Sequence, residues 1–409
     1  MAGFLDRKIL TDLSLRNHSQ DRYVLLKRSM RYIHGIFLLL CLTLGCKDKT
    51  EVVSVDQKQI LVESHPNIHT SHIIELFVWP GEYPIRPLVV KAQKYFEPFK
   101  DHPAIKLSDS LLLNEIFYFD ELTEILLYLE DFPSTQFKYP LENSPYAAKE
   151  KIITNWIEKL SEFYKDAGVE SFLNENDGFY QGARQEVISN LPSNDFVEQI
   201  ESYYRETKLS YTIIPSPEMP TGGAYGYRGI GPYVYTPNGM RIYQVISASL
   251  PVRKDSISQK YYEFGFNNKE FILRNSYHEF GHAFVNTILN KEENELLLNQ
   301  YEYLFTKELK DVMLDQNYDN WFDCIAEHLV RLGEIRLAER SGNKKWADEL
   351  RQYHTRELNF IFIPELEKKI IQYENDQRFE NFEEFLPNLL EVLKDFDSNK
   401  IKNKINNST

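Results

Sequence analysis

Two histidines four residues apart with a glutamate between them, His278-Glu279-Phe280-Gly281-His282, form the stretch of this chain best suited to chemistry. On an α-helix, residues four apart lie on one face, so both imidazoles can address a single ion. Glu279 sits about a quarter-turn away, where its carboxylate reaches a water on the ion without ligating the ion itself. Two ligands, a general base and a third ligand from elsewhere in the chain make the pattern of a zinc hydrolase. The competing structural reading is a buried helix whose histidines bond to their neighbours. That reading suits a lone histidine better than this pair.

The surrounding residues predict the element that carries the motif. Leu273, Tyr277, Phe280, Phe284 and Ile288 recur at spacings of three and four, which gives a helix with one apolar stripe. At about 100° per residue the stripe lies roughly opposite His278, Glu279 and His282, so the motif is expected on the polar side, away from the densest packing. A catalytic zinc takes three protein ligands and a water, so one more ligand is needed. The position six residues after His282 is Ile288, which excludes a third histidine there, and no downstream Gly-Thr-x-Asp pattern follows.

The segment from Trp321 to Arg331 offers a carboxylate instead. Phe322, Ile325, Leu329 and Leu332 make its apolar stripe, and Glu327 lies near the centre of the opposite face. Asp323 and Arg331 flank Glu327 one turn to either side. Arg331 is placed to orient the carboxylate, and Asp323 to accept the outward N–H of a ligand histidine. From spacing alone Asp323, His328 and Glu334 remain alternatives to Glu327, and an ordinary solvated helix face competes with all four.

The chain has 409 residues, enough for two to three average domains or for one large catalytic unit with an accessory region. Its net charge of −14 argues against nucleic acid as a partner, because phosphate binding needs a basic surface. The run Ile36-Phe37-Leu38-Leu39-Leu40-Cys41-Leu42-Thr43-Leu44 is preceded by Lys27, Arg28 and Arg31 and closed by Gly45-Cys46. This resembles a bacterial lipoprotein signal peptide and is too short for an ordinary membrane helix. Cleavage before Cys46 would leave a lipid-modified cysteine anchoring the protein to the bacterial cell envelope. Met30 makes the more compact signal start, with residues 1–29 lying in front of it. Cys324 is the one cysteine left for the folded body and is expected as a packed core residue.

Along the chain, residues 47–70 read as a tether and a first strand near 59–63, and 71–208 as a mainly helical N-terminal region. Ile152, Trp156, Leu160 and Tyr164 repeat every four residues. From Leu209 the texture changes to strands. Ser210 to Pro215 reads as one, and Tyr233-Val234-Tyr235 with Arg241 to Ile246 reads as a hairpin around Pro237-Asn238-Gly239. The Gly-rich stretch 222–231 lacks the Gly-Lys-Ser/Thr of a phosphate loop and is expected to be a loop between strands. Helices resume at Lys269 and run to about 397, and residues 399–409 are expected to form a frayed tail.

Glu327-x-x-x-Arg331, downstream of His278-Glu279-x-x-His282 and Phe284-Val285-Asn286, resembles an uncharacterised family of secreted and lipid-anchored bacterial proteins. That family lies close to the gluzincin metallopeptidases, whose zinc ligands are two histidines and a glutamate. The resemblance runs roughly from residue 70 to 380, with weaker similarity at 74–83 and at His102-Pro103-Ala104-Ile105-Lys106-Leu107. It implies Glu327 as the third ligand beside His278 and His282.

The expected fold class is therefore α+β, a zincin-like catalytic region at 209–398 with a small mixed sheet and the HExxH helix, preceded and followed by helices. The expected function is a lipid-anchored zinc metallopeptidase acting on peptide or protein substrates. Glu279 takes the water proton and passes it to the leaving amine, and Zn2+ polarises the scissile carbonyl. An oxyanion donor is also expected, but the 26 tyrosines single none out. The rival readings are a lipid-anchored binding or scaffold protein that keeps a metal site without turnover, and a zinc amidase acting on a non-peptide substrate.

Overall fold

The computed structural model describes residues 58–79, 86–221 and 227–408. The signal segment, Met30 and Cys46 lie outside the described residues, as do positions 222–226 of the Gly-rich stretch. Among the described residues no helix is long and apolar enough to cross a membrane.

A short strand, β1 (Ile60–Val62), leads into a run of helices. These are α1 (Pro66–Val78), α2 (Pro87–Phe96), α3 (Pro103–Leu113), α4 (Phe119–Ile125), α5 (Glu150–Asp166), α6 (Val169–Glu175), α7 (Asp177–Ser189) and α8 (Phe196–Tyr204). Pro66, Pro87 and Pro103 open the first three of them, at the position where a missing N–H leaves no bond unmade. The apolar face of α5 is Ile153, Trp156, Ile157, Leu160 and Phe163. Ile152, expected in that stripe, instead faces out at 39% exposure, because Ile153 takes the inward place.

The expected strands follow as β2 (Ser210–Pro215), β4 (Tyr233–Thr236) and β5 (Gly239–Ile246). A further short strand, β3 (Gly229–Ile230), forms within the stretch expected to be a loop, because its backbone pairs with the end of β5. β6 (Arg253–Lys254) and β7 (Tyr261–Glu263) form a separate exposed pair. β1, β2 and β5 run parallel, with Tyr211 opposite both Ile60 and Ile242. β4 and β5 make the predicted hairpin, Thr236 pairing with Gly239 across a two-residue turn. β3 and β4 both pair antiparallel with β5 and so form the far edge of a mixed sheet.

Then come α9 (Lys269–Leu289), α10 (Glu292–Asn299), α11 (Lys307–Leu314), α12 (Trp321–Arg340), α13 (Lys344–Gln352), a π-helical turn at Tyr353–Glu357, α14 (Ile363–Asn375), α15 (Phe382–Leu390) and α16 (Ser398–Ser408). The expected frayed tail is thus a helix. Its register puts Ile401 and Ile405 four residues apart on one face, and both are buried against the C-terminal helices.

The sheet is the middle of three layers, and its two-residue period decides which core each side chain joins. Tyr211, Ile213, Ile242 and Ile246 face α9 and the C-terminal helices. Ile214, Tyr243 and Val245 face the N-terminal helices. Residues 211–215 of β2 are buried without interruption, as a central parallel strand covered on both faces must be. The change of texture at Leu209 therefore marks the chain entering the sheet on which both helical layers pack. The fold is α+β with a small mixed sheet.

Candidate metal centre

α9 and α12 cross face to face behind the sheet and carry the residues singled out above. Each begins at an asparagine cap. The Asn268 side chain accepts from the Phe271 amide at 3.1 Å, and that of Asn320 from the Asp323 amide at 2.9 Å. In the middle of α9, Ser276 donates to Gln244 of β5 at 2.7 Å, which pins the helix to the sheet two residues before His278.

α9 differs from expectation in one respect. His278, Glu279 and His282 were expected on a polar face, yet they are 7, 5 and 5% exposed, and the helix is covered all round. The apolar stripe packs on the core, while the opposite face is covered by β3 and α12 rather than by solvent. β3 and the residue after it lie so close that a Cβ at Gly231 would fall 2.2 Å from the Glu279 carbonyl oxygen. One at Gly229 would sit 2.8 Å from Glu279 Oε1. Only glycine allows this approach, which sets the edge strand directly over the motif.

His278, Glu279 and His282 each offer a ligand atom, all within 4.8 Å of one another, so this buried group could hold a metal ion. The two Nε2 atoms are 3.3 Å apart. Glu327 Oε1 is 3.2 Å from His282 Nε2, and Glu327 Oε2 is 3.9 Å from His278 Nε2. A tetrahedral ion with bonds of about 2.0–2.1 Å holds its ligand atoms about 3.3 Å apart, which the separations of His282 Nε2 from His278 Nε2 and from Glu327 Oε1 match. Glu327 is 1% exposed, and neither of its oxygens has a hydrogen bond of good geometry among the described residues. A buried carboxylate left in that state is costly unless something else satisfies it. The donors fit a divalent ion held by His278, His282 and Glu327, with Glu279 turned toward β3.

The surrounding charges suit that purpose. Burial, with Arg331 adding to it, holds the His278 imidazole down at about 4, so it is neutral at ordinary pH, as a ligand must be. Burial alone would raise the Glu327 carboxyl, but the adjoining His278 and His282 rings and the Arg331 guanidinium outweigh it and hold it well below the usual range. With His278 neutral at ordinary pH, Arg331 is the standing positive charge beside it. Arg331 Nη2 lies 3.3 Å from Glu327 Oε2, the orienting role its spacing predicted. Arg331 also donates to the Tyr318 hydroxyl at 3.4 Å, and that hydroxyl approaches Glu327.

The partner of His278 is Glu334, while Asp323 lies within electrostatic reach of His282. His278 Nδ1 donates to Glu334 Oε1 at 2.8 Å, and the other oxygen of Glu334 accepts from His354 Nε2 at 3.1 Å. Asp323 accepts from Asn320, the cap of its own helix, at 2.6 Å, and burial pushes its carboxyl up to about 7. Of the alternative third ligands, Glu334 is committed to the far side of His278. His328 donates from Nδ1 to the Cys324 carbonyl at 2.6 Å and packs against Phe360 and Phe362. Cys324 is buried in the core, where burial raises its thiol. Glu334 was open to sequence reasoning, since it lies two turns beyond Glu327 on one face. His354 was not, because it comes from an irregular turn 20 residues farther on.

No curated protein and no solved structure matches the chain. A family described as a domain of unknown function, DUF4932, matches residues 82–392, which takes in the sheet edge, both site helices and most of the N-terminal layer. With well over half its length matched, the chain belongs to the DUF4932 family.

Proposed function

We propose that the protein is a zincin-like metallopeptidase of the gluzincin type, with zinc held by His278, His282 and Glu327. The observation that carries this reading is a set of three buried donors, two imidazoles and a carboxylate, spaced for one ion, with a second carboxylate, Glu279, beside it and placed to act as a base. A zinc ion bound there supplies Lewis acidity, polarising a carbonyl and bringing the pKa of a water toward neutrality. Glu279 accepts the proton of the attacking water and returns it to the departing amine nitrogen. The β3–β4 edge lies over Glu279 and offers an extended peptide a strand to pair with, which sets the scissile bond above the site. Arg331 and Glu334 hold Glu327 and His278 in place while this happens.

Glu279→Gln keeps the size of the side chain and removes its capacity to take a proton. The variant should bind zinc and fold as the wild type does while hydrolysis of a broad peptide library falls by on the order of 10²-fold or more. Equal turnover by variant and wild type would remove Glu279 from the reaction. A second reading, a metal-holding protein without turnover, is favoured by the burial of the whole site, with His278, Glu279 and His282 at 7% exposure or less. A zinc-loaded wild type that cleaves nothing in the library would support that reading, or an amidase with a non-peptide substrate.

We read the N-terminus as that of a lipid-anchored protein of the bacterial cell envelope, cleaved before Cys46. The mass of the native N-terminal peptide tests this: a diacylglyceryl-type adduct on Cys46 is expected, and an unmodified peptide running through Leu44 to Lys49 would sink the idea.

A further inference from the structure

The second buried polar cluster lies on the other face of the sheet. At the carboxyl end of β1 the chain makes its last sheet bond, Glu63 N–H to the Ile213 carbonyl at 3.0 Å, and then leaves for α1. The next residue, Ser64, is exposed. Its Oγ lies 2.8 Å from Nε2 of His69, one turn into α1. His69 Nδ1 in turn bonds the carboxylate of Glu218, which follows the carboxyl end of the neighbouring parallel strand β2. His69 is 1% exposed and Glu218 is fully buried. The Tyr180 ring packs on the imidazole at 4.5 Å between centroids and fixes its plane.

The chemistry of these groups sets the direction of the chain of hydrogen bonds. A carboxylate only accepts, so His69 Nδ1 carries the proton and Nε2 presents its lone pair. The one neighbour given to that lone pair is the Ser64 hydroxyl, which therefore donates. A hydroxyl, an imidazole and a carboxylate are joined in that order, with the hydroxyl at the surface and the other two groups sealed beneath it. A buried His–Glu pair would serve as a structural tie without any serine, and an exposed serine needs no imidazole beneath it. The coincidence of the two is what a nucleophile with its base and orienting acid requires.

Its place in the fold points the same way. In sheets with parallel strands, ligands gather outside the carboxyl ends of those strands, and both Ser64 and Glu218 stand there, after β1 and β2. The first amides of α1, those of Asn67 and Ile68, precede the helix's first bond, His69 N–H to the His65 carbonyl. Helix geometry aims them out of the end of α1 at which Ser64 stands.

We propose that Ser64 is a second nucleophile, with His69 as its base and Glu218 as a positioning residue, and that it accepts acyl groups from small activated esters. In the forward step Ser64 Oγ bonds the acyl carbon and its proton passes to His69 Nε2. The bond from that carbon to the alcohol or phenol oxygen then breaks, and the leaving oxygen takes the proton from His69, directly or through solvent, so that Nε2 is free again. Water, giving its proton to the same nitrogen, then adds to the acyl carbon and frees the acid and the Ser64 hydroxyl. No metal enters this sequence, and α1 packs in the core layer on the face of the sheet away from α9, so the site stands apart from the metal centre.

The test uses the full chain, metal-loaded and chelator-treated, with p-nitrophenyl acetate as substrate and a fluorophosphonate as covalent probe. Peptide mapping should place the adduct on Ser64. Ser64→Ala, a change at an exposed position, should lower ester turnover on the order of 10²-fold with the melting temperature unchanged. His278→Ala and the chelator-treated wild type should keep both the adduct and the turnover, which separates this site from the metal centre. Glu218→Gln should lose the labelling and Glu218→Asp should recover part of it, a rescue that mere packing would not give. An unlabelled Ser64 in the folded wild type, or equal labelling in His69→Gln, would overturn the proposal. If His69→Gln does not fold, the wild-type adduct and Ser64→Ala decide the matter alone.

Discussion

On the α9 face of the sheet, two imidazoles and the Glu327 carboxylate turn their lone pairs toward one another with no proton between them that satisfies all three. On the α1 face, similar residue types are joined donor to acceptor. His69 bonds Glu218, His72 Nδ1 bonds Ser216 Oγ at 2.6 Å, and Arg228 bridges the carboxylates of Glu75 and Asp120. Burial is near complete in both places, so exposure does not tell them apart. The difference lies in how the polar atoms meet. Arg331 reaches Glu327 Oε2 at 3.3 Å, yet Glu327 Oε1 and the two Nε2 atoms still converge on one point, whereas each α1-face contact named here runs from a donor to an acceptor. Contacts already joined donor to acceptor have little call on an ion, while three ligand atoms converging on one point do.

The widest gap between the two faces should appear in metal content. Wild-type protein is expected to carry about one zinc per chain, and His278→Ala, His282→Ala and Glu327→Ala to carry almost none. His69→Gln and His72→Gln should keep the wild-type content, because their partners are already protein groups. Elemental analysis of the purified variants reads this directly. Zinc lost from the α1-face variants and kept in the α9-face ones would reverse the comparison.

Removing the cation from the self-balanced cluster should cost stability rather than metal. Arg228 shares one guanidinium between Glu75 and Asp120, and both ion pairs are almost fully buried. Burial pushes Glu75 up to about 7 even with Arg228 beside it, and Asp120 adds to the rise. Arg228, bonded to two carboxylates, is held above its usual range although burial opposes this. The two shifts differ because one cation serves two anions, so each carboxylate is only partly compensated. Arg228→Met should destabilise the fold by about 3–5 kcal/mol at pH 8, measured by urea unfolding. Without Arg228 the Glu75 carboxyl rises further, so the variant holds it protonated where the wild type does not, and the penalty should shrink as pH falls from about 8 toward 7. A penalty that stays constant over this range would mean that Glu75 and Asp120 are not the groups left exposed to one another.

The sequence disclosed these regions unequally, for physical reasons. The HExxH spacing is a property of one helix, so His278, Glu279 and His282 could be placed together before any fold was known. Glu327 and Arg331 were legible on the same ground, as neighbours one turn apart on a second helix. The strands at Ser210 to Pro215 and the β4–β5 hairpin were legible from alternation and a turn dipeptide. What spacing could not show was contact between elements. Burial of the motif came from β3 passing over α9, which depends on Gly229 and Gly231 and not on any apolar period. The Ser64–His69–Glu218 chain joins residues 149 positions apart and left no trace in any single window. The helical tail was misjudged because its Lys and Asn residues mask the Ile401–Ile405 pair, whose burial requires a partner surface.

The finest distinction between the two faces concerns Glu334, which sits at the candidate metal centre but behaves like a member of a balanced cluster. It accepts from His278 Nδ1 at 2.8 Å, from His354 Nε2 at 3.1 Å and from Arg331 Nη1 at 3.4 Å. Burial would raise its carboxyl, but His354, His278 and the hydrogen bonds they donate hold it well below the usual range, so it stays ionised. Its charge fixes the proton of His278 on Nδ1 and makes Nε2 the better donor to an ion. Glu334→Gln keeps the volume and one acceptor but removes the charge. Zinc affinity should fall about 10–100-fold, equivalent to about 1.4–2.7 kcal/mol, with the fold and about one zinc per chain retained at saturating metal. Competition with a chromophoric chelator measures that change, and His354→Gln, which leaves the charge in place, should move it less. Wild-type affinity in Glu334→Gln would show that the carboxylate only fills space behind His278, and the line between balanced and unbalanced clusters would then run between Glu334 and its histidine rather than around them both.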